Sequence, residues 1–358
     1  MTGVLGASIV TVGMIEGIAE AAVAVSKAFS GAVSDYFRRR KPLILLGYGL
    51  SALTKPAFAM AGSINAVFAA RFADRVGKGI RGAPRDALVA DLAEPEARGA
   101  AYGLRQALDS AGAFMGPLLA VAFMALLSDD IRAVLWVAVV PAFIAVALIL
   151  FGIHEPRVAA RRADPPKRIS LAGARSLPRR FRLVVALGAV FTLARFSEAF
   201  LILRAQDVGL AVGMIPMIMV VMNLAYAAAA WPAGIVSDRV HPRAMLVAGL
   251  ALLISADVAL AIAASPKITF VGAGLWGLHM AFTQGLFAKL VADSAPEELR
   301  GTAFGVFNLV SGGALLLASA LAGWLWSAFG PTATFLGGAF FAAAAAAGLV
   351  STGRRRRV

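Results

Sequence analysis

What most constrains this chain is the length of its apolar runs. Crossing the roughly 30 Å hydrocarbon core of a bilayer takes about 20 helical residues. Runs of that order recur at 8–34, 43–62, 64–90, 99–127, 132–153, 183–204, 211–237, 243–264, 267–292, 302–327 and 330–351. Hydrocarbon offers no water to free backbone groups, so each run is predicted to be a helix. Composition agrees, since 60% of the 358 residues are hydrophobic and 15% are charged, against about a quarter charged in soluble domains. The expectation is an all-α polytopic membrane protein of eleven spans, and a soluble globular enzyme is excluded.

The chain has no cysteine and three histidines. That removes disulfides and thiolate chemistry and argues against a His-rich metal site, so no metal and no cofactor is expected. The stretch from Met1 to Val12 contains no Lys or Arg, unlike the basic start of a signal peptide. Gly77-Lys-Gly-Ile-Arg-Gly82 is no phosphate cradle, because it falls at the end of a membrane helix rather than after a soluble strand.

The formal charge is +14. One set of connections holds Arg38 to Lys41, Arg85, Arg98, Arg239, Arg243 and Arg300, while the alternate set offers little beyond Arg132, Arg204 and Lys267. The positive-inside rule makes the first set cytoplasmic, with residue 1 outside and the C-terminus inside. Between Pro156 and Arg182 nine basic residues stand against Asp164, and Arg354 to Arg357 add four more. These segments fix topology and touch anionic headgroups of the bilayer. No aromatic-studded fold accompanies them, so nucleic acid is not an expected partner.

Two parts of the chain repeat. Gly31-Ala-Val-Ser-Asp35 matches Gly234-Ile-Val-Ser-Asp238 at a shift of 203. Leu88-Val-Ala-Asp91 matches Leu290-Val-Ala-Asp293, and Arg98-Gly99 with Gly103 matches Arg300-Gly301 with Gly305, at a shift of 202. Two parallel homologous bundles follow: 1–155, a basic linker at 156–182, then 183–353 and a basic tail at 354–358. The partner of the helix at 183–204 would fall upstream of residue 1. The first bundle is thus expected to have five helices to the second's six, its first helix lost or encoded before the given start.

These residues resemble the major facilitator superfamily over nearly the whole chain. Its loop signature G-x-x-x-D-R-x-G-R-R/K is similar to Gly31 through Lys41, with Tyr36 where Arg is usual and Arg38 where Gly is usual. The second copy, Gly234 to Arg243, keeps Arg239 after Asp238. Arg75-Val-Gly-Lys-Gly79 resembles the family's R-x-x-x-G, and Gly112-Ala-Phe-Met-Gly116-Pro117 its G-x-x-x-G-P, an element associated with exporters. The resemblance implies a cavity between two bundles and alternating access. It also implies a conformational latch from Gly31, Asp35 and Arg39 and from Gly234, Asp238 and Arg239. A carboxylate such as Asp35 can accept from a neighbouring helix N-terminus and pair with Arg38, Arg39, Arg40 or Lys41. Gly112, Gly116 and Pro117 are expected to admit a close helix and to bend their own.

Charges within spans cost about 2.5–3.5 kcal/mol each at a helix centre, and therefore mark cavities and partners. Glu198, Asp109, Glu20 and Glu16 are candidates for proton coupling, since burial suits a carboxyl that must take and release a proton. Arg105 and Asp109 stand four apart on the face of Gly112 and Gly116, and Arg195 and Glu198 three apart on a predicted continuous helix. Arg71, Arg75, Arg105, Arg195, Asn223, Tyr226, His279 and Gln284 are candidates for lining a substrate cavity. Asp257, Lys289 and Asn308 extend the polar set. The function expected is secondary transport of a small molecule with protons as counter-substrate, exporting, as a monomer. A facilitated or potential-driven uptake carrier is one alternative, and a non-transporting sensor or remnant the other.

Overall fold

The computed structural model describes residues 9–128, 130–155 and 177–354. Side-chain surroundings are described from Ala22 onward, with Val212 and residues 351–354 followed as backbone only. Most of the basic linker, 156–176, and residues 355–358 lie outside the described residues, as do the side chains of Glu16 and Glu20.

Helix dominates, and no strand occurs among the described residues. The elements are α1 (Ile9–Phe37), α2 (Lys41–Met60), α3 (Ile64–Leu92), α4 (Arg98–Leu126), α5 (Ile131–Ala147), α6 (Arg179–Leu193), α7 (Ala199–Asp207), α8 (Pro216–Arg239), α9 (Pro242–Ala261), α10 (Pro266–Ser294) and α11 (Arg300–Arg354). Starts follow local chemistry. Proline opens α8, α9 and α10, where its missing N–H is harmless. The Asp130 carboxylate caps α5 by accepting from the N–H groups of Arg132 at 2.9 Å and Ala133 at 3.2 Å. Six stretches are long and apolar enough to cross a membrane: Lys41–Met60, Pro95–Leu126, Ile131–Gly152, Pro216–Arg239, Pro242–Ala261 and Glu297–Val350. The α5 helix has no buried residue, as expected of a rod that meets lipid on most sides.

One of the expected spans differs in form. The run at 183–204 is not one helix but α6 and α7, separated by Ala194 to Glu198. The Ser197 N–H donates to Ser319 Oγ at 3.1 Å instead of to a carbonyl one turn back, which ends the helical ladder there. The runs at 302–327 and 330–351 are the two helical stretches of α11, parted at Gly330 with φ 83° and ψ 178°, where the expected boundary lies. Only glycine holds that conformation without strain. The chain folds back there, with the Thr334 hydroxyl donating to Ala322 O at 3.3 Å.

Contacts divide the chain into two compact units. Unit 1 holds residues 1–92, 118–181 and 294–309; unit 2 holds 93–117, 182–293 and 310–358. Each therefore includes the opening turns of a helix from the opposite part of the sequence, α11 in unit 1 and α4 in unit 2. In unit 1, α3 packs on α1 and α2, and α2 on α5. Close crossings run through glycine, and a Cβ at Gly47 would sit 2.6 Å from the Gly77 carbonyl oxygen. In unit 2, Arg204 is buried and its guanidinium donates to Leu260 O at 2.9 Å and Ala263 O at 2.8 Å, capping the end of α9.

Candidate functional site

The repeated aspartates occupy equivalent helix-end sites, one in each unit. In unit 1, the Asp35 carboxylate at the end of α1 accepts from the first N–H groups of α11, Gly301 at 3.0 Å and Thr302 at 2.6 Å, and from the Thr302 hydroxyl at 2.7 Å. The end of a helix presents unpaired N–H groups and a partial positive charge, so a carboxylate fits there twice over. In unit 2, Asp238 at the end of α8 accepts from the first N–H groups of α4, Gly99 and Ala100, both at 2.8 Å.

Glycine makes each approach possible. A Cβ at Gly31 would overlap the Gly301 carbonyl oxygen, and one at Gly234 the Gly99 carbonyl oxygen. One turn along, Gly305 rests on Ala28 and Gly103 on Ala230. The repeated Arg-Gly-x-x-x-Gly is thus the surface on which the repeated Gly-x-x-x-Asp lies. Sequence reading registered Gly99, Gly103, Gly301 and Gly305 only as markers of the repeat; their recurrence at a shift of 202, one short of that of the aspartates, was the available signal.

The cations differ from expectation. Arg39 and Arg239 are exposed. Arg40 instead is buried and bonds Asp35, Ser34 Oγ at 2.7 Å and Asp91 at 3.2 Å. Arg38 adopts φ 53°, the left-handed turn for which the resemblance has glycine, and two residues on Arg40 meets the carboxylates. Burial opposes the charge on Arg40, but Asp35 and Asp91 outweigh it and hold its pKa above the ordinary arginine value. Arg300 takes the other side of Asp91 at 2.8 Å. In unit 2 the cation is Lys289 of α10, 2.6 Å from Asp238 and 3.0 Å from Ser237 O. Arg98 pairs with Asp293 at 2.7 Å.

A second group of polar residues gathers around Tyr226 in unit 2. Its hydroxyl is buried without a hydrogen-bond partner, and Arg105, Arg195, Glu198 and Asp109 all act on it electrostatically. Arg105 and Asp109 form the expected pair at 2.8 Å. Arg195 and Glu198 lie in the break between α6 and α7, both half-buried, and no ion pair joins them among the described residues. Gln284 is half-buried on α10. The Asn223 amide donates to Met219 O of its own helix at 2.8 Å. His279 is buried, with Nδ1 2.8 Å from Gly249 O, so one ring nitrogen is occupied by α9.

In unit 1, Arg71 and Arg75 are half-buried on α3. Asp74, between them in sequence, pairs with Lys55 of α2 at 3.3 Å. Lys27 donates to Asn308 at 3.2 Å. Glu16 and Glu20 lie on α1 outside the described side chains. Gly112, Gly116 and Pro117 lie on α4, exposed, and among the described residues no atom comes within 4 Å of a Cβ built on either glycine. No helix among the described residues lies against them. Gly112 is nine residues from Gly103, about 180° around the helix at 100° per residue, so it turns away from the face that α8 occupies.

The major facilitator superfamily profile matches residues 1–203 and again 184–357, two overlapping stretches that together cover nearly the whole chain. The chain belongs to the major facilitator superfamily. Among relatives, the MFS-type transporter MJ1317 of Methanocaldococcus jannaschii is 31% identical over 349 residues, covering 96% of this chain and 85% of the relative. Solved superfamily structures share the fold at low identity. The human organic anion transporter MFSD10 aligns with TM-score 0.74 and 20% identity over 93% of this chain and 82% of its own. The fucose:proton symporter FucP of E. coli, as a point variant, aligns with TM-score 0.72 and 16% identity over 94% and 91%. As a superfamily member the chain is a polytopic membrane protein of a transporter family.

Proposed function

We propose that the protein is a secondary transporter that moves a small molecule by alternating access and couples it to protons, exporting its substrate. The observation that carries this reading is the broken helix between α6 and α7. Arg195 thus sits between the two helices and Glu198 at the cap of α7, beside Arg105, Asp109 and the Tyr226 hydroxyl, which has no hydrogen-bond partner among the described residues. Discontinuous membrane helices mark binding sites in transporters, because irregular backbone is tolerated only where it is buried or lines a cavity. Charges of both signs suit an anionic or zwitterionic ligand. Glu198 and Asp109 are the proton-coupling carboxylates of this reading, with Glu20 and Glu16 from α1. Asn223 and Gln284 extend this polar set within unit 2, and Arg71 and Arg75 are the basic candidates of unit 1.

Asp35 and Asp238 act as latches. Each holds a helix N-terminus by charge-assisted hydrogen bonds worth about 1.5–3 kcal/mol apiece, a strength that a transport cycle can make and break. The latch ends face the cytoplasm, because Arg38 to Lys41, Arg239 and Arg243 sit there. Fold neighbours named as a proton symporter and an organic anion transporter fit this class of activity. Export rests on the resemblance at Gly112, Gly116 and Pro117 alone.

The test begins with a thermal-shift screen of anions, zwitterions and organic cations on purified protein, followed by flux of the stabilising compound in proteoliposomes. An imposed pH gradient is expected to drive accumulation, and Glu198→Gln, Asp109→Asn and Glu20→Gln together to uncouple it. Flux indifferent to the gradient would make the protein a facilitated carrier. No flux of any stabilising compound would favour a non-transporting role.

A further inference from the structure

The described ionisable groups near Tyr226 have neighbours of their own kind, but one carboxyl does not. Asp257 of α9 is fully buried, and neither of its oxygens has a hydrogen-bond partner. It lies in unit 2 among rings and a glycine. A Cβ at Gly338 of α11 would stand 2.7 Å from Asp257 Oδ2 and 2.9 Å from Phe196 Cε1, so only glycine leaves room for the carboxyl. Phe196 belongs to the α6–α7 break and stacks against Trp276 at 5.3 Å and Phe335 at 5.5 Å. On α10, Gly272 abuts Leu260 and Thr283 abuts Gly249. That antiparallel register brings Trp276 level with Asp257, and the Trp276 indole N–H is also buried without an acceptor. No charged or titratable side chain among the described residues acts on Asp257 from α6, α7, α9, α10 or α11. The nearest such group along α10 is His279, which is held at Gly249, about two turns of α9 away.

Phe196 and Gly338 also line a cavity of about 20 Å³, shared with Thr334 and Leu193. That volume admits one water. An ionised carboxylate in this setting faces neither a donor nor a countercharge, and its desolvation goes uncompensated. A metal cation would need several oxygen ligands, and the rings supply none. A proton needs only the carboxyl itself.

We propose that Asp257 is a proton-binding site of this protein, exchanging its proton with water through the cavity behind Phe196 and Gly338. On release the carboxyl O–H bond breaks, the proton passes to the water and the electron pair stays on the carboxylate. Phe196 is part of the same break that carries Arg195 and Glu198, so movement of that segment changes both the substrate-side charges and the exposure of Asp257. The inference builds on the proton-coupled reading for its purpose, but the site can be measured without any substrate.

The measurement is infrared difference spectroscopy of the full chain in lipid nanodiscs, followed across pH in H2O and D2O. The parent is expected to show a protonated-carboxyl carbonyl band at neutral pH that shifts in D2O, fades at alkaline pH and is missing from Asp257→Asn, while Asp109→Asn retains it. A band unaffected by Asp257→Asn would overturn the proposal. So would one assigned to Asp257 that neither exchanges in D2O nor fades up to the highest pH the fold tolerates, or one that sodium or an organic cation removes at constant pH. If Asp257→Asn does not fold, Asp257→Glu replaces it; a displaced band is expected, and an unmoved one overturns the assignment. Because no flux is read, a negative result here leaves the transport test standing, and a failed transport test leaves this one standing.

Discussion

The two aspartate latches come from one repeat yet are buttressed differently. At Asp35 a single guanidinium, Arg40, bridges two carboxylates, and Arg300 closes the far side of Asp91, giving a chain of four charges with Thr302 adding its hydroxyl. At Asp238 the cation is Lys289 from a different helix, Arg98 pairs with Asp293, and Ala100 occupies the place of Thr302. Position 243, which matches Arg40 at the repeat shift, turns its guanidinium to the Val350 carbonyl instead. Duplication preserved the helix cap, which depends on backbone N–H groups. It did not preserve the cation, which depends on whichever long side chain reaches the carboxylate. The latch of unit 1 should therefore be the harder to break.

Removing the carboxylates should break this comparison most visibly. Asp35→Ala takes the acceptor from two helix N–H groups and the Thr302 hydroxyl and leaves Arg40 only Asp91 and Ser34, and we expect a loss of about 3–5 kcal/mol, read as a fall in melting temperature in detergent. Asp238→Ala should lose less, because Lys289 retains the Ser237 carbonyl. Equal losses would refute the ranking. Next come the glycines. Gly301→Ala and Gly99→Ala drive a methyl into the partner helix and should cost about 1–3 kcal/mol, whereas Gly112→Ala, which meets open space, should stay within about 1 kcal/mol of the parent. Thr302→Ala makes the first latch more like the second and should narrow their difference by about 1 kcal/mol. The smallest effect is expected from Arg38→Gly, which relieves a left-handed backbone and should stabilise by about 1 kcal/mol.

The sequence carried the helical class, the eleven apolar runs and the repeat, because bilayer thickness and backbone satisfaction leave little choice. It also pointed to Asp35 and Asp238. It did not show the break at Ala194 to Glu198, which turns on one serine N–H finding Ser319, whereas it did part the runs at 327 and 330, where Gly330 divides α11. It left the partner of Asp35 open among Arg38, Arg39, Arg40 and Lys41 and set Arg39 in the latch, whereas Arg40 makes the pair, since the turn at Arg38 decides which arginine faces inward. For Gly112 and Gly116 the motif was legible but the neighbour was not, because a small residue permits a close helix without supplying one. Asp257 was visible as one more charge in a span. Only its surroundings of Gly338, Phe196 and Trp276 set it apart from the paired charges.

The latch reading meets its most direct test in a distance measurement, and a chain without cysteine is well suited to it. Spin labels at Phe37→Cys and Glu298→Cys, both exposed and flanking the Asp35 cap in unit 1, report whether α1 stays on the start of α11. In nanodiscs we predict one narrow distance distribution for this labelled pair, and a second, longer population when Asp35→Asn is added. An unchanged distribution in a folded Asp35→Asn variant would contradict the claim that this carboxylate holds the conformation closed.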